Sequence, residues 1–206
     1  FLRKQEKKRF SPGTFAAMTY LNLKDPATIK LMRFGMMDFG FKAQRLAHKA
    51  AKALGLVQDS RAHPPATVGA PTVKTQIIHF LNRPMPGNLP KRTSRALLDI
   101  EDDKVIPVIR NPRKTTEESD AVFYFPGCGS ERLFSQVGLA TQAMLYEVGA
   151  TTVLPPGYLC CGYPQTASGD EDKGQKITTD NRVLFHRVAN TLNYLDIKTV
   201  IVSCGT

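Results

Sequence analysis

The sequence has 206 residues, 42% of them hydrophobic, and a formal net charge of +10. This is enough apolar material for a core in at least part of the chain, and no run approaches the roughly 18 apolar residues of a membrane-crossing helix. The opening stretch, Phe1 to Arg9, is charged throughout and does not read as a secretory signal. The charge is uneven: residues 1–120 hold 22 Lys and Arg against 11 Asp and Glu, and residues 121–206 hold 6 against 7. A basic first part of this kind reads as a solvated face, with an anionic surface or acidic partner as the alternatives. Aromatic residues are not interleaved with the basic runs, so no nucleic acid is expected as a partner.

Residues 1–25 read as a basic, partly irregular lead-in, with Ser11-Pro12-Gly13 as a turn. Residues 26–54 read as one long amphipathic helix. Asp25 is its expected N-cap, Pro26 its first residue and Gly55 its stop. The apolar stripe expected on it is Ile29, Met32, Met36, Phe39, Ala43, Leu46, Ala50 and Ala53. Lysines and arginines on the other face leave packing and a membrane-surface contact as its two readings. Residues 56–73 read as a linker, Val73–Leu81 as a short helix, and Pro84 to Pro90 as irregular. Val105–Ile109 is a candidate strand, and residues 111–119 are a loop.

The pattern changes near residue 119. Ala121–Phe125 reads as a strand, Glu131–Val148 as a helix capped by Ser130, and Thr151–Leu154 as a strand. Asp170–Leu195 reads as a helix with Val183, Leu184, Val188, Leu192 and Leu195 facing the core, and Thr199–Ser203 as a third strand. The order β-α-β-α-β predicts an α/β fold: a small parallel sheet with flanking helices, preceded by a largely helical and irregular segment. The expected division is 1–118, a basic connecting region, and 119–206, a cysteine-rich domain.

All four cysteines fall in that second part, as C-x31-C-C-x42-C: Cys128, Cys160, Cys161 and Cys204. Each cysteine segment follows a predicted strand, so a parallel sheet brings them to one edge. Thiolates select zinc, Cu(I) or iron–sulfur clusters. Zinc sites usually show CxxC-type pairs, which are missing here, and adjacent cysteines rarely bridge each other. A zinc- or thiol-based module, with the basic region as a nucleic-acid or membrane-surface contact, stays open as the alternative. Glycines flank every cysteine segment and bring backbone N–H groups close to sulfur. His48, His63, His79 and His186 show no metal spacing. Tyr158 and Tyr163 bracket the Cys-Cys pair and are expected to exclude solvent. No catalytic residue stands out.

Pro126-Gly127-Cys128, Cys160-Cys161-Gly162 with Pro164, and Cys204-Gly205-Thr206 together resemble the cysteine-rich CCG domain. That domain occurs in the heterodisulfide reductase B subunit and in the iron–sulfur subunits of glycolate oxidase and related flavin-linked oxidoreductases. Gly149 and Asn181 also fit the family's layout. The resemblance covers residues 121–206. The family's closing Cys-x-x-Cys would end directly after Thr206, so the chain is expected to be a piece of a longer polypeptide. The interval from Cys161 to Cys204 is longer than the family's usual one.

The resemblance implies an iron–sulfur domain of an oxidoreductase. Cys128, Cys160, Cys161 and Cys204 would hold a 4Fe–4S cluster, with the noncubane form as a variant. The domain would pass electrons between a flavin dehydrogenase of the 2-hydroxy-acid type, with FAD on that partner, and an acceptor, or would reduce a disulfide. A ferredoxin-like cluster domain is a further expected partner. The implied location is cytoplasmic, or peripheral at the inner face of the membrane.

Overall fold

The computed structural model describes residues 12–57 and 81–203. Most of the expected linker and of the Val73–Leu81 helix lies outside those residues, and so does Cys204. Residues 12–29 and 90–203 pack as one compact unit, and residues 30–57 with 81–89 as another.

Helix α1, Pro12–Asn22, replaces the irregular lead-in expected over much of this stretch. Pro12 stands at its first position, where a missing N–H costs nothing, and the following Phe15-Ala16-Ala17-Met18 has good helix formers. Tyr20 on this helix is 1% exposed. Asp25 caps the next helix as expected: Oδ2 accepts from Thr28 N at 2.7 Å and from Thr28 Oγ1 at 2.5 Å. These bonds hold the exposed Asp25 carboxyl below its ordinary value.

From there the chain is helical to Ala53, as α2 (Pro26–Arg33), a π-helical stretch (Phe34–Gly40) and α3 (Phe41–Ala53). The buried positions are Ile29, Arg33, Met37, Gln44 and Ala51, while Phe39 and Leu46 of the expected stripe are 72% and 70% exposed. The π-helical stretch is the reason. Its i→i+5 bonds, such as Phe41 N to Met36 O, put more residues into each turn and rotate the face that follows. In this second unit the proline-rich stretch after Leu81 lies along α3. Gln44 donates to Arg83 O and accepts from Met85 N, both at 2.8 Å, and Arg45 donates to Pro86 O.

The sheet belongs to the first unit. Its order is β1 (Val108–Ile109), β3 (Thr151–Val153), β2 (Ala121–Phe125) and β4 (Thr199–Val202). Strands β2, β3 and β4 are parallel, in the registers Phe123↔Val153 and Phe125↔Val202. The edge strand β1 is antiparallel to β3. Helix α4, Ser94–Leu98, precedes the sheet. Helix α5, Ser135–Glu147, joins β2 to β3. Helices α6, Tyr163–Ala167, and α7, Glu171–Thr191, join β3 to β4.

The core is Phe123, Phe125, Val153, Leu159, Val188 and Leu192, with Phe185 edge-on to Phe123 at 4.9 Å. Burying a side chain such as Val188 or Leu192 contributes about 1.5–3 kcal/mol. Val183, expected to face the core, is 45% exposed. Helix α5 departs further from expectation. It starts after a π-helical turn, Gly129–Leu133, so Ser130 is not its cap. It buries Ser135, Gly138 and Gln142 and leaves Val137, Met144 and Val148 exposed. A Cβ on Gly138 would lie 2.8 Å from Ser130 O, so the helix docks through its smallest face.

Candidate metal centre

Two strand ends build the site. After β2 the chain turns through Pro126 and Gly127, whose φ of 73° is open to glycine, and buries Cys128. After β3 the loop from Leu154 returns through Gly157 and buries Cys160, with Cys161 half-buried beside it. Cys160 Sγ lies 3.8 Å from Cys128 Sγ, across 32 residues of sequence. Neither is in a disulfide, and nor is Cys161.

Gly162 and α7 hold the Cys-Cys turn in place. Gly162 has φ 88°, and a Cβ there would lie 2.6 Å from Gly174 O. Asn181 Nδ2 donates to Cys160 O at 2.7 Å, and Thr178 Oγ1 donates to Cys161 O at 3.2 Å. Backbone N–H groups reach the sulfurs themselves: that of Gly162 toward Cys160, and those of Tyr163 and Cys161 toward Cys161. These donors favour the thiolates, but the contact with Cys128 at Cys160, and that with Cys160 at Cys161, outweigh them. Sharing a proton with Cys128 raises the Cys160 thiol, and sharing with Cys160, helped by burial, raises Cys161 well above the ordinary thiol range.

A buried cation is coupled electrostatically to the same sulfurs. Arg132 is 0% exposed and donates from Nη1 to Tyr20 O at 2.8 Å. Burial pulls its guanidinium down from its ordinary value, and Glu131, Cys128 and Cys160 hold it up. Its guanidinium lies 5.2 Å from the centre of the Tyr158 ring. Tyr158 is buried as expected, and its hydroxyl donates to Glu101 Oε1 at 2.6 Å and meets Thr93 Oγ1 at 2.6 Å. Tyr163, by contrast, is 52% exposed. Next to Arg132, Glu131 pairs with Arg95, whose Nη2 also donates to Pro155 O at 2.7 Å and Nη1 to Ile100 O at 3.2 Å.

This layer has little local signature in the sequence. By sequence Glu131 and Arg132 fall in the first turn of the helix expected over Glu131–Val148. Tyr20, Thr93, Arg95 and Glu101 lie in a region where no motif was recognisable. The one available signal was a charged pair placed three residues after Cys128 and followed by apolar Leu-Phe.

Cys161 also lines a largely apolar cavity of about 620 Å³ with Phe123, Phe125 and Phe185, and with Arg182 and His186 on α7. Cys204 lies outside the described residues. Strand β4 carries the chain toward the same sheet edge, since Val202 pairs with Phe125 and Ser203 Oγ lies 2.5 Å from Tyr124 Oη. Among the described residues no group of three or more Cys, His, Asp or Glu side chains stands in a metal-holding arrangement.

Sulfur donors approached by backbone N–H groups and a buried guanidinium fit a thiolate-bound soft metal group, anionic in net charge. Known proteins agree with that donor chemistry. Residues 122–206 match the family model of the cysteine-rich CCG domain. The chain is 23% identical over 119 residues to an uncharacterized iron–sulfur protein of Methanococcus maripaludis, covering 58% of this chain and 22% of that protein. It is 30% identical over 84 residues to the Bacillus subtilis protein named "Probable glycolate oxidase iron-sulfur subunit", covering 41% of this chain and 17% of that protein. The chain thus spans about a fifth of the length of these curated relatives. No solved structure matches. The CCG segment starts one residue into β2. Arg95, Thr93 and Tyr20, which bond Glu131, Tyr158 and Arg132, therefore lie outside the matched segment. No helix among the described residues is long and apolar enough to cross a membrane.

Proposed function

We propose that the CCG segment holds an iron–sulfur cluster through Cys128, Cys160, Cys161 and Cys204 and serves as an electron-transfer module of an oxidoreductase. The observation that carries this reading is the 3.8 Å approach of Cys128 and Cys160, delivered by separate strands into N–H donors and beside buried Arg132. When bound, the cluster supplies one-electron redox chemistry; the chain's own residues hold it, screen its charge and exclude water. Glycine at 162 keeps the turn open to backbone donors, and Tyr158 closes the buried side.

The finer reading is a 4Fe–4S cluster that takes electrons from a flavin dehydrogenase of the 2-hydroxy-acid type, with FAD on that partner. The Bacillus subtilis relative's printed name favours it. Residues 1–118 then lead toward a ferredoxin-like cluster domain, with 12–29 and 90–118 packed in the cysteine unit, and their basic helix is the surface for a membrane contact. A second reading, reduction of an organic disulfide, is favoured by one observation: Cys161 is half-buried at an apolar cavity of about 620 Å³.

Anaerobic reconstitution with iron and sulfide tests the cluster. The full chain is expected to take up both and to gain thiolate-to-iron absorption, and Cys160→Ser and Cys161→Ser are each expected to lose them. Wild-type levels of iron and sulfide in either variant would remove these residues as ligands, and uptake of zinc in preference to iron would sink the redox reading.

A further inference from the structure

Gln165 is the buried polar side chain at this centre with the least to do. It is 1% exposed, on α6, directly behind the Cys-Cys turn. Its Oε1 lies 3.9 Å from Cys160 Sγ, at the outer reach of a hydrogen bond to sulfur. Its Nε2 is buried and has no hydrogen-bond partner among the described residues. An orphan buried N–H donor is rarer and costlier than an under-satisfied carbonyl oxygen.

The arrangement makes sense if Cys160 Sγ serves as a metal-bound thiolate. A thiolate has nothing to donate, and Oε1 against it is a repulsive contact. A half-turn of the terminal amide exchanges Oε1 and Nε2 within the same volume, because the two ends are nearly the same size and shape. The orphan N–H₂ then points at Sγ and makes a charge-assisted bond, and only a carbonyl oxygen is left under-satisfied. The backbone N–H of Gly162 already approaches the same sulfur.

We propose that Gln165 is the side-chain N–H donor to the Cys160 thiolate, a positioning residue that raises the reduction potential of the group bound there. This deepens the cluster reading and rests on it for the potential. Hydrogen bonds to cluster sulfurs stabilise the more negative, reduced state.

The test uses the full chain with Gln165→Leu, which removes the donor, and Gln165→Glu, which keeps the shape and adds a negative charge. In the reconstituted protein, Gln165→Leu is expected to bind iron and sulfide as wild type does. It is expected to shift the one-electron reduction equilibrium about tenfold, or ~59 mV to more negative potential. Gln165→Glu is expected to shift it further in the same direction. In the metal-free chain, Co(II) titrated against a chelator is expected to bind about tenfold more weakly to Gln165→Leu. Unchanged potential and unchanged Co(II) affinity in both variants would overturn the role of Gln165. A wild type that binds Co(II) through Cys160 but never assembles iron and sulfide would overturn the cluster reading, leaving Gln165 to be judged by the Co(II) comparison. A wild type that binds neither would overturn both.

Discussion

Arg95→Met is the sharpest test of how the centre is supported. Arg95 is 1% exposed and Glu131 is 2% exposed. Removing the guanidinium leaves Glu131 facing a desolvated site, where burial already raises its carboxyl against the pull of Arg95 and Arg132. The carboxyl escapes by taking a proton, which caps the penalty. From the ordinary value of 4.5, protonation at pH 7.5 costs at most about 4 kcal/mol, and at pH 5.5 about 1.4 kcal/mol, at 1.36 kcal/mol per pH unit. The sign follows from linkage. A carboxyl raised in the folded state binds more protons there than in the unfolded chain, so its stability contribution is full below 4.5 and falls as pH rises toward the folded value. The variant loses in addition the bonds from Arg95 to Pro155 O and Ile100 O, about 1–1.5 kcal/mol each at any pH. Urea unfolding followed by circular dichroism at pH 5.5 and 7.5 measures both parts. The variant's deficit relative to wild type is expected to grow by up to about 2.7 kcal/mol between those pH values. A deficit that is the same at both, or that shrinks as pH rises, would refute the reasoning.

Arg132→Met removes the cation beside Cys128 and Cys160. It is expected to weaken Co(II) binding by tenfold or more at low ionic strength, with a smaller gap between variant and wild type at low pH, where both lose thiolates; equal affinities at neutral pH would show that the guanidinium does not stabilise these sulfurs. Gly162→Ala forces a Cβ onto a backbone with φ 88° and to within 2.6 Å of Gly174 O. It is expected to cost at least about 2 kcal/mol of stability and to lower metal uptake, and a variant as stable as wild type in urea would refute the close approach of α6 and α7.

Much of the second half was legible from the sequence because its signals are local. Ala121–Phe125 is a continuous apolar run bounded by Asp120 and Pro126, and it is the strand β2. The alternation with helical segments gave the parallel β2, β3 and β4, and Asp25-Pro26 marked a helix start in the first half. Where a long-range contact decides, local pattern misled. Val137, Met144 and Val148 form an apolar stripe by periodicity, yet α5 buries Gly138 because only a missing Cβ lets it close on Ser130 O. Phe39 and Leu46 face outward because a π-helical stretch, which no spacing announced, rotates the face.

The sequence alone determined which atoms are available for chemistry: four thiols in three glycine-flanked segments, each placed after a strand. Only the tertiary structure decided what surrounds them. Gln165 approaches Cys160, Arg132 is coupled electrostatically to Cys128 and Cys160, and Tyr158 stacks under Arg132, because burial leaves a charged or polar group no other place to find partners. Arg95 and Tyr20 join them across intervals of 36 and 112 residues. Such distances carry no periodicity, so nothing in the order of residues could have brought these groups together on the page before the fold did.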